Sequence, residues 1–214
     1  MKKTILTVIS TILILLIIVI IANFIRNVFL LKGLIDKNYI LENYKYTLSS
    51  FTTIRPEEAS YVQFYKKGNK GKEVAISGNG EIHHQIFSDN DTNKNYLINQ
   101  IGEILTDNLE GAGLSKEVPS IKYFSDYPTF NIYSYSLTHI IPTVDIKGRD
   151  CIPIELEHEL YYIEKDTGYL VRYQTECKEY SDGVLTDGYS IMDYSSIQQN
   201  VVTDEDVVIP ETVE

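Results

Sequence analysis

Two cysteines, four histidines and one acidic loop are the groups in this chain with the most chemistry to offer. Cys151 and Cys177 are its only thiols, and a disulfide between them would persist outside a reducing cytosol. They flank an expected hairpin whose register, with Glu164 opposite Gly168, sets Cys177 across from residue 155, or 154 with one bulge. Cys151 then lies three or four residues further along, roughly 10–13 Å away at about 3.4 Å per residue. A bridge needs Cα atoms within about 7 Å, so it requires Pro153 to break the strand and turn Cys151 back.

The other candidates are weaker. Asp89-Asn90-Asp91-Thr92-Asn93 starts like a calcium loop, but Lys94 stands where Gly is needed and Gln100 where the closing Glu is needed. A solvated hairpin loop accounts for it better. His83 and His84 are neighbours in an expected strand and point to opposite faces, which argues against a shared metal. His158 falls on the apolar side of its segment and reads as a core histidine. Ser88-Asp89-Asn90 matches one short motif of penicillin-recognising serine enzymes. No Ser-x-x-Lys supplies the nucleophile, and Lys165-Asp166-Thr167-Gly168 has one residue too many for the third motif. Gly-x-Ser-x-Gly, Walker and His-Glu-x-x-His motifs are also missing. The residues support no enzyme, no metal and no cofactor.

The element that positions everything else is the first apolar run, Thr4 to Ile25, bracketed by Lys2-Lys3 and Arg26. Its uncharged length matches the roughly 20 residues that cross a bilayer core as a helix. It is too long for a signal-peptide core, no A-x-A site follows, and a lipoprotein signal would need a cysteine far earlier than Cys151. We therefore expect a permanent signal anchor over residues 1–26. A modest positive-inside bias puts the N-terminus in the cytoplasm and the rest outside, in a single-pass cell-membrane protein.

Beyond residue 32 lie 15 of the 19 basic residues and all 30 acidic ones, a formal charge of −15. That field excludes nucleic acid and anionic headgroups as partners for this part of the chain. Seventeen tyrosines, no tryptophan and many β-branched residues favour strands. Residues 27–43 read as an amphipathic helix with Val28, Leu31, Ile35 and Tyr39 on one face, suited to covering a sheet. An antiparallel meander follows, with strands over 44–52, 61–66, 73–77 and 81–87 and turns at Gly68-Asn69-Lys70-Gly71 and Gly78-Asn79-Gly80. A short helix is expected over 100–109, ended by Gly111 and Gly113, then a loop over 110–130 and a strand over 131–140. In the 151–177 hairpin, Ile152, Ile154, Leu156, Leu160 and Tyr162 alternate with Glu155, Glu157 and Glu159. Tyr161 and Ile163 belong to the apolar side nearer the turn, so the parity switches, and a bulge or bend is expected near 159–161. Strands over 178–180 and 188–194 flank Asp182-Gly183; an edge strand over 200–209 and an acidic tail, 210–214, close the chain. The candidate apolar lining is Tyr133, Tyr135, Ile154, Leu156, Leu160 and Tyr162. Residues 44–209 form one extracytoplasmic antiparallel β domain.

The run Tyr161-Tyr162-Ile163-Glu164-Lys165-Asp166-Thr167-Gly168-Tyr169-Leu170-Val171-Arg172 resembles a recurrent hairpin of LolA/LppX-like proteins, which include periplasmic lipoprotein carriers and RseB-type sigma-factor regulators. Gly148-Arg149-Asp150-Cys151 and Asn200-Val201-Val202-Thr203-Asp204-Glu205-Asp206 with Pro210 look like anchored or lipoprotein relatives from Gram-positive bacteria. The resemblance implies an α+β, mostly antiparallel fold: an unclosed β-half-barrel with covering helices, preceded here by one transmembrane helix. It also implies an apolar cavity for a lipid, lipopeptide or similar ligand. No binding residue is carried over, because the family marks none by a motif. A permanent anchor departs from the soluble carriers and puts shuttling in doubt. The rival expectations are an envelope protein partner or a scaffold whose core fills itself.

Overall fold

A computed structural model describes residues 2–37, 41–107, 109, 120–124, 131–181 and 184–209. In chain order the elements are α1 (Lys2–Ile35), β1 (Asn43–Thr52), β2 (Ser60–Lys67), β3 (Lys70–Ile76), β4 (Ile82–Asp89), β5 (Lys94–Asn99) and β6 (Ile104–Thr106). There follow α2 (Ile132–Thr138), β7 (Val144–Ile146), β8 (Arg149–Leu156), β9 (Glu159–Glu164), β10 (Leu170–Ser181), β11 (Val184–Tyr194), β12 (Gln198–Gln199) and α3 (Asp204–Val207). The strands make a mostly antiparallel open sheet with hydrogen-bonded order β6-β5-β4-β3-β2-β1-β11-β10-β9-β8-β7, and β12 pairs with β1. The chain divides into two compact units: Met1–Asn38, Tyr123–Ile154 and Ile163–Tyr169 in one, and Tyr39–Lys122, Glu155–Tyr162 and Leu170–Glu214 in the other.

The first unit is built on α1. From Val8 to Ile21 its side chains are exposed among the described residues, and the helix is long and apolar enough to cross a membrane. Beyond Arg26 it becomes amphipathic, burying Asn27, Leu31 and Leu34 at i, i+4, i+7 spacing. Residues 27–35 continue the apolar run as one helix, and α1 ends at Ile35 rather than residue 43. Of its expected stripe, Val28 and Ile35 are half-buried and Tyr39 lies outside the described residues.

The expected strand over 131–140 is a helix. Asn131 caps α2, its Oδ1 accepting from Ser134 N–H at 3.0 Å, and Tyr135 stacks on His139 one turn later at 3.9 Å between centroids. Side-chain donors from α1 then hold the end of α2: Asn23 and Asn27 donate to the His139 carbonyl at 3.2 and 2.8 Å, and Arg26 to that of Ile141 at 3.1 Å. Tyr-Ser-Tyr alternation imitates a strand, but local capping and these tertiary bonds decide the backbone.

Lys147 and Gly148, both left-handed at φ 55° and 79°, join β7 to β8 in a two-residue hairpin. β8 passes through Pro153 unbroken. Cys151 pairs with Val144, Cys177 pairs with Gly188 on β11, and both thiols are free. Burial pushes the Cys151 thiol up to about 11, which leaves it inert. At the 164–168 turn, Gly168 adopts φ 75° as its sequence demands and its N–H donates to the Glu164 carbonyl at 2.9 Å, while Glu164 N–H donates to the Tyr169 carbonyl at 2.8 Å, so Gly168 and Tyr169 together oppose Glu164 as a bulge. Arg149 and Thr167 both bond the Glu164 carboxylate, and the Arg149 Nε contact is 2.7 Å.

In the second unit β1 to β4 follow the expected meander, and β5, which was not among the expected strands, continues it by pairing with β4. The expected 100–109 helix is instead a tight turn into β6. Asn99 Oδ1 accepts from the N–H groups of Ile101 and Glu103, and Gly102 takes φ 87°. Gly111 and Gly113, its expected end, lie outside the described residues, as do Asp182-Gly183 and the 210–214 tail. The expected 200–209 edge strand gives way to α3, because Thr203 and Asp206 form a capping box. The parity switch expected near 159–161 is not a bulge. It is a turn at Glu157-His158, with Glu157 left-handed at φ 57°, separating β8 from β9. His158 is therefore exposed, not a core residue.

Glu159 accepts from the hydroxyls of Tyr161 and Tyr173, the latter at 2.7 Å. These bonds, Tyr161's foremost, hold its carboxyl below the ordinary carboxylate range. A carboxylate depressed in the folded state stabilises fully above its unfolded value and loses that contribution as pH falls through the folded one. Thermal melts between about pH 5 and pH 3 should therefore decline more steeply in the wild type than in Glu159→Gln. Parallel curves would show that the tyrosine bonds add no linkage.

Candidate functional site

Of the apolar lining expected from the sequence, only Ile154 is fully buried. Leu156, Leu160 and Tyr162 are half-buried, and β9 buries Tyr161 and Ile163 instead. Tyr133 is exposed and Tyr135 half-buried, because both sit on α2. Tyr133, Tyr135 and Ile154 belong to the first unit, and Leu156, Leu160 and Tyr162 to the second. The Asp89 loop is closed by its own side chain: Asp89 Oδ1 accepts from the N–H groups of Asp91 and Thr92, at 2.9 and 3.3 Å, as a turn rather than a cation loop.

An aromatic cluster in the second unit is the better candidate. Tyr44 and Tyr46 alternate on one face of β1, and both are buried. Tyr46 faces Phe64 across the β1–β2 ladder and stacks on it at 4.7 Å between centroids. Tyr194 pairs with Leu48, which sets it diagonally beside Tyr46 at 6.3 Å. Tyr46, Ile121, Leu170, Tyr194 and Ile197 line a small cleft, with Lys122 and Ser195 at its edge. Tyr46 O–H donates to the Ser120 carbonyl at 3.1 Å, and Leu170 N–H to that of Lys122 at 3.0 Å, which pins the 120–122 segment over the ring. Burial raises the Tyr194 hydroxyl above its ordinary value. The cleft volume is about 10 Å³, close to the room one water requires. It offers apolar contact, stacking and an exposed ammonium at Lys122; among its lining residues no nucleophile is paired with a base.

Sequence reasoning missed this cluster, although Tyr44-x-Tyr46 in a clear strand carried the signal. Its partners are distant in sequence: Tyr194 comes beside Tyr46 through β1–β11 pairing, and Ile121 and Leu170 through the bonds of the 120–122 segment to Tyr46 and Leu170.

No protein-family model matches the chain, and no curated protein matches it. A solved structure of a LolA superfamily protein from Nitrosomonas europaea is similar to it at 9% identity, covering 84% of this chain and 96% of that one. The TM-score is 0.33, a likeness too distant to carry an argument about function.

Proposed function

We propose that this is a single-pass membrane protein with a cytoplasmic N-terminus, presenting a non-enzymatic, LolA/LppX-like extracytoplasmic domain. That domain binds a lipid, lipopeptide or other apolar ligand, or senses one at a Gram-positive cell envelope. The observation that carries the reading is the Tyr46–Tyr194 cleft, lined by aromatic and aliphatic side chains together with the exposed Lys122. Tyrosine rings supply area for an acyl chain at about 25 cal/mol per Å², and Lys122 suits an anionic group. Opening it for a chain requires the 120–122 segment to swing off Tyr46. The uncovered apolar stretch of α1 supports the tether.

The small cleft volume favours a second reading, a scaffold that fills its own core and meets an envelope protein partner. Thermal melts of the full chain in detergent, with phospholipid or lipopeptide titrated in, separate the two. A ligand at about 100 times its Kd adds about 2.7 kcal/mol to folding stability, so the binding reading expects a clear rise in Tm. Ile197→Asp, which puts a charge in the cleft, should abolish it. A melt indifferent to every lipid added would leave the scaffold.

A further inference from the structure

Three apolar side chains in the first unit are strongly exposed among the described residues: Phe29 at 74%, Leu137 at 60% and Ile140 at 82%. Isolated exposed residues of this kind are ordinary, but their placement is not. The His139 carbonyl accepts from Asn23 and Asn27, and the Ile141 carbonyl from Arg26. Ile140 lies between those two carbonyls. It is therefore held level with Asn23–Asn27, within about one 5.4 Å turn of Ile25, where the apolar run ends. Lys32 lies over the Tyr133 ring at 5.6 Å from its centroid, so α2 runs antiparallel to α1 and directs its C-terminal end back toward the span.

We infer that the Leu137–Ile140 end of α2 inserts into the interfacial layer of the same bilayer that α1 crosses, as a second membrane contact. The inference rests on the reading of α1 as a tether. The polar headgroup layer extends about 5–8 Å beyond the hydrocarbon, and with Ile25 at the boundary Arg26 to Phe29 fall within that depth while Asn23 lies about 3 Å on the hydrocarbon side. Leu137 and Ile140 then present apolar bulk to lipid at the level where amphipathic segments bury, while Arg26 stays paired with backbone. The occupant is lipid because the surface continues the bare flank of α1 at the point where that flank leaves the hydrocarbon. A single helix would let the unit swivel, whereas a helix with a side wedge fixes its orientation.

The chain has no tryptophan, so a single introduced indole reports depth without background. Full-length Ile17→Trp, Ile140→Trp, Leu137→Trp and Asp166→Trp would be reconstituted in phosphatidylcholine/phosphatidylglycerol vesicles, with and without acyl-chain bromination. Asp166 belongs to the turn held beside Lys37, whose Nζ donates to Lys165, at 2.5 Å, about 15 Å beyond Ile25 along the helix. The expected result is about twofold or greater quenching and a blue shift for Ile17→Trp and Ile140→Trp, an intermediate effect for Leu137→Trp, and none for Asp166→Trp. Quenching of Ile17→Trp alone would overturn the inference and leave the tether standing. Failure of Ile17→Trp itself would remove the tether, and the inference with it.

Discussion

Arg172→Met should lower folding stability by about 3 kcal/mol, the lower end of the 3–5 kcal/mol expected when a buried ion pair loses one partner. Arg172 and Asp193 face each other across β10 and β11, joined by two contacts, Nε to Oδ1 at 2.5 Å and Nη2 to Oδ2 at 2.9 Å. Asp193 is almost wholly buried, so removing the guanidinium takes away the cation opposite a carboxylate that water cannot reach. The arginine retains some exposure, which favours the lower figure. Replacing both, as Arg172→Met with Asp193→Leu, should restore most of the loss, because a well-packed apolar pair avoids the desolvation of two charges. Urea titration followed by circular dichroism measures both. A single variant as stable as the wild type would mean that this ladder does not depend on the pair.

The second large effect concerns the span. Sixteen Ile, Leu, Val and Phe residues lie between Thr4 and Ile25. At about 0.3–0.6 kcal/mol each they favour insertion by roughly 5–10 kcal/mol, whereas one central arginine costs about 2.5–3.5. Leu15→Arg alone should therefore leave the protein in the membrane. Ile12→Arg, Leu15→Arg and Ile18→Arg together cost about 7.5–10.5 kcal/mol and should release most of it. Carbonate extraction of membranes reads the difference directly. Retention of the triple variant would mean that something other than α1 holds the chain to lipid.

Where periodicity and turn chemistry agreed, the fold was legible in advance. The uncharged run, the alternating strands of the meander and the Gly168 turn each carry a signal that local physics enforces. The misreadings share a cause. Tyr133, Tyr135 and Leu137 alternate like a strand, yet Asn131 caps a helix whose end is fixed by donors over a hundred residues away on α1. The parity switch after Leu156 was visible, but a bulge and a two-residue turn produce the same switch, and only the left-handed Glu157 distinguishes them. Thr203 and Asp206 spell a capping box that strand-like valines on either side obscured. The candidate site was the least legible part: Tyr46 stood in plain view, but its companions Tyr194, Leu170 and Ile121 depend on long-range pairing, which no local pattern specifies.

We propose that the Tyr46–Tyr194 cleft takes an apolar ligand. Native mass spectrometry of the full chain, released from detergent in the gas phase, tests it most directly. The expected result is a discrete one-to-one lipid adduct on the wild type that is lost in Ile197→Asp. Bare protein alone, or the same non-stoichiometric lipid on both, would contradict it.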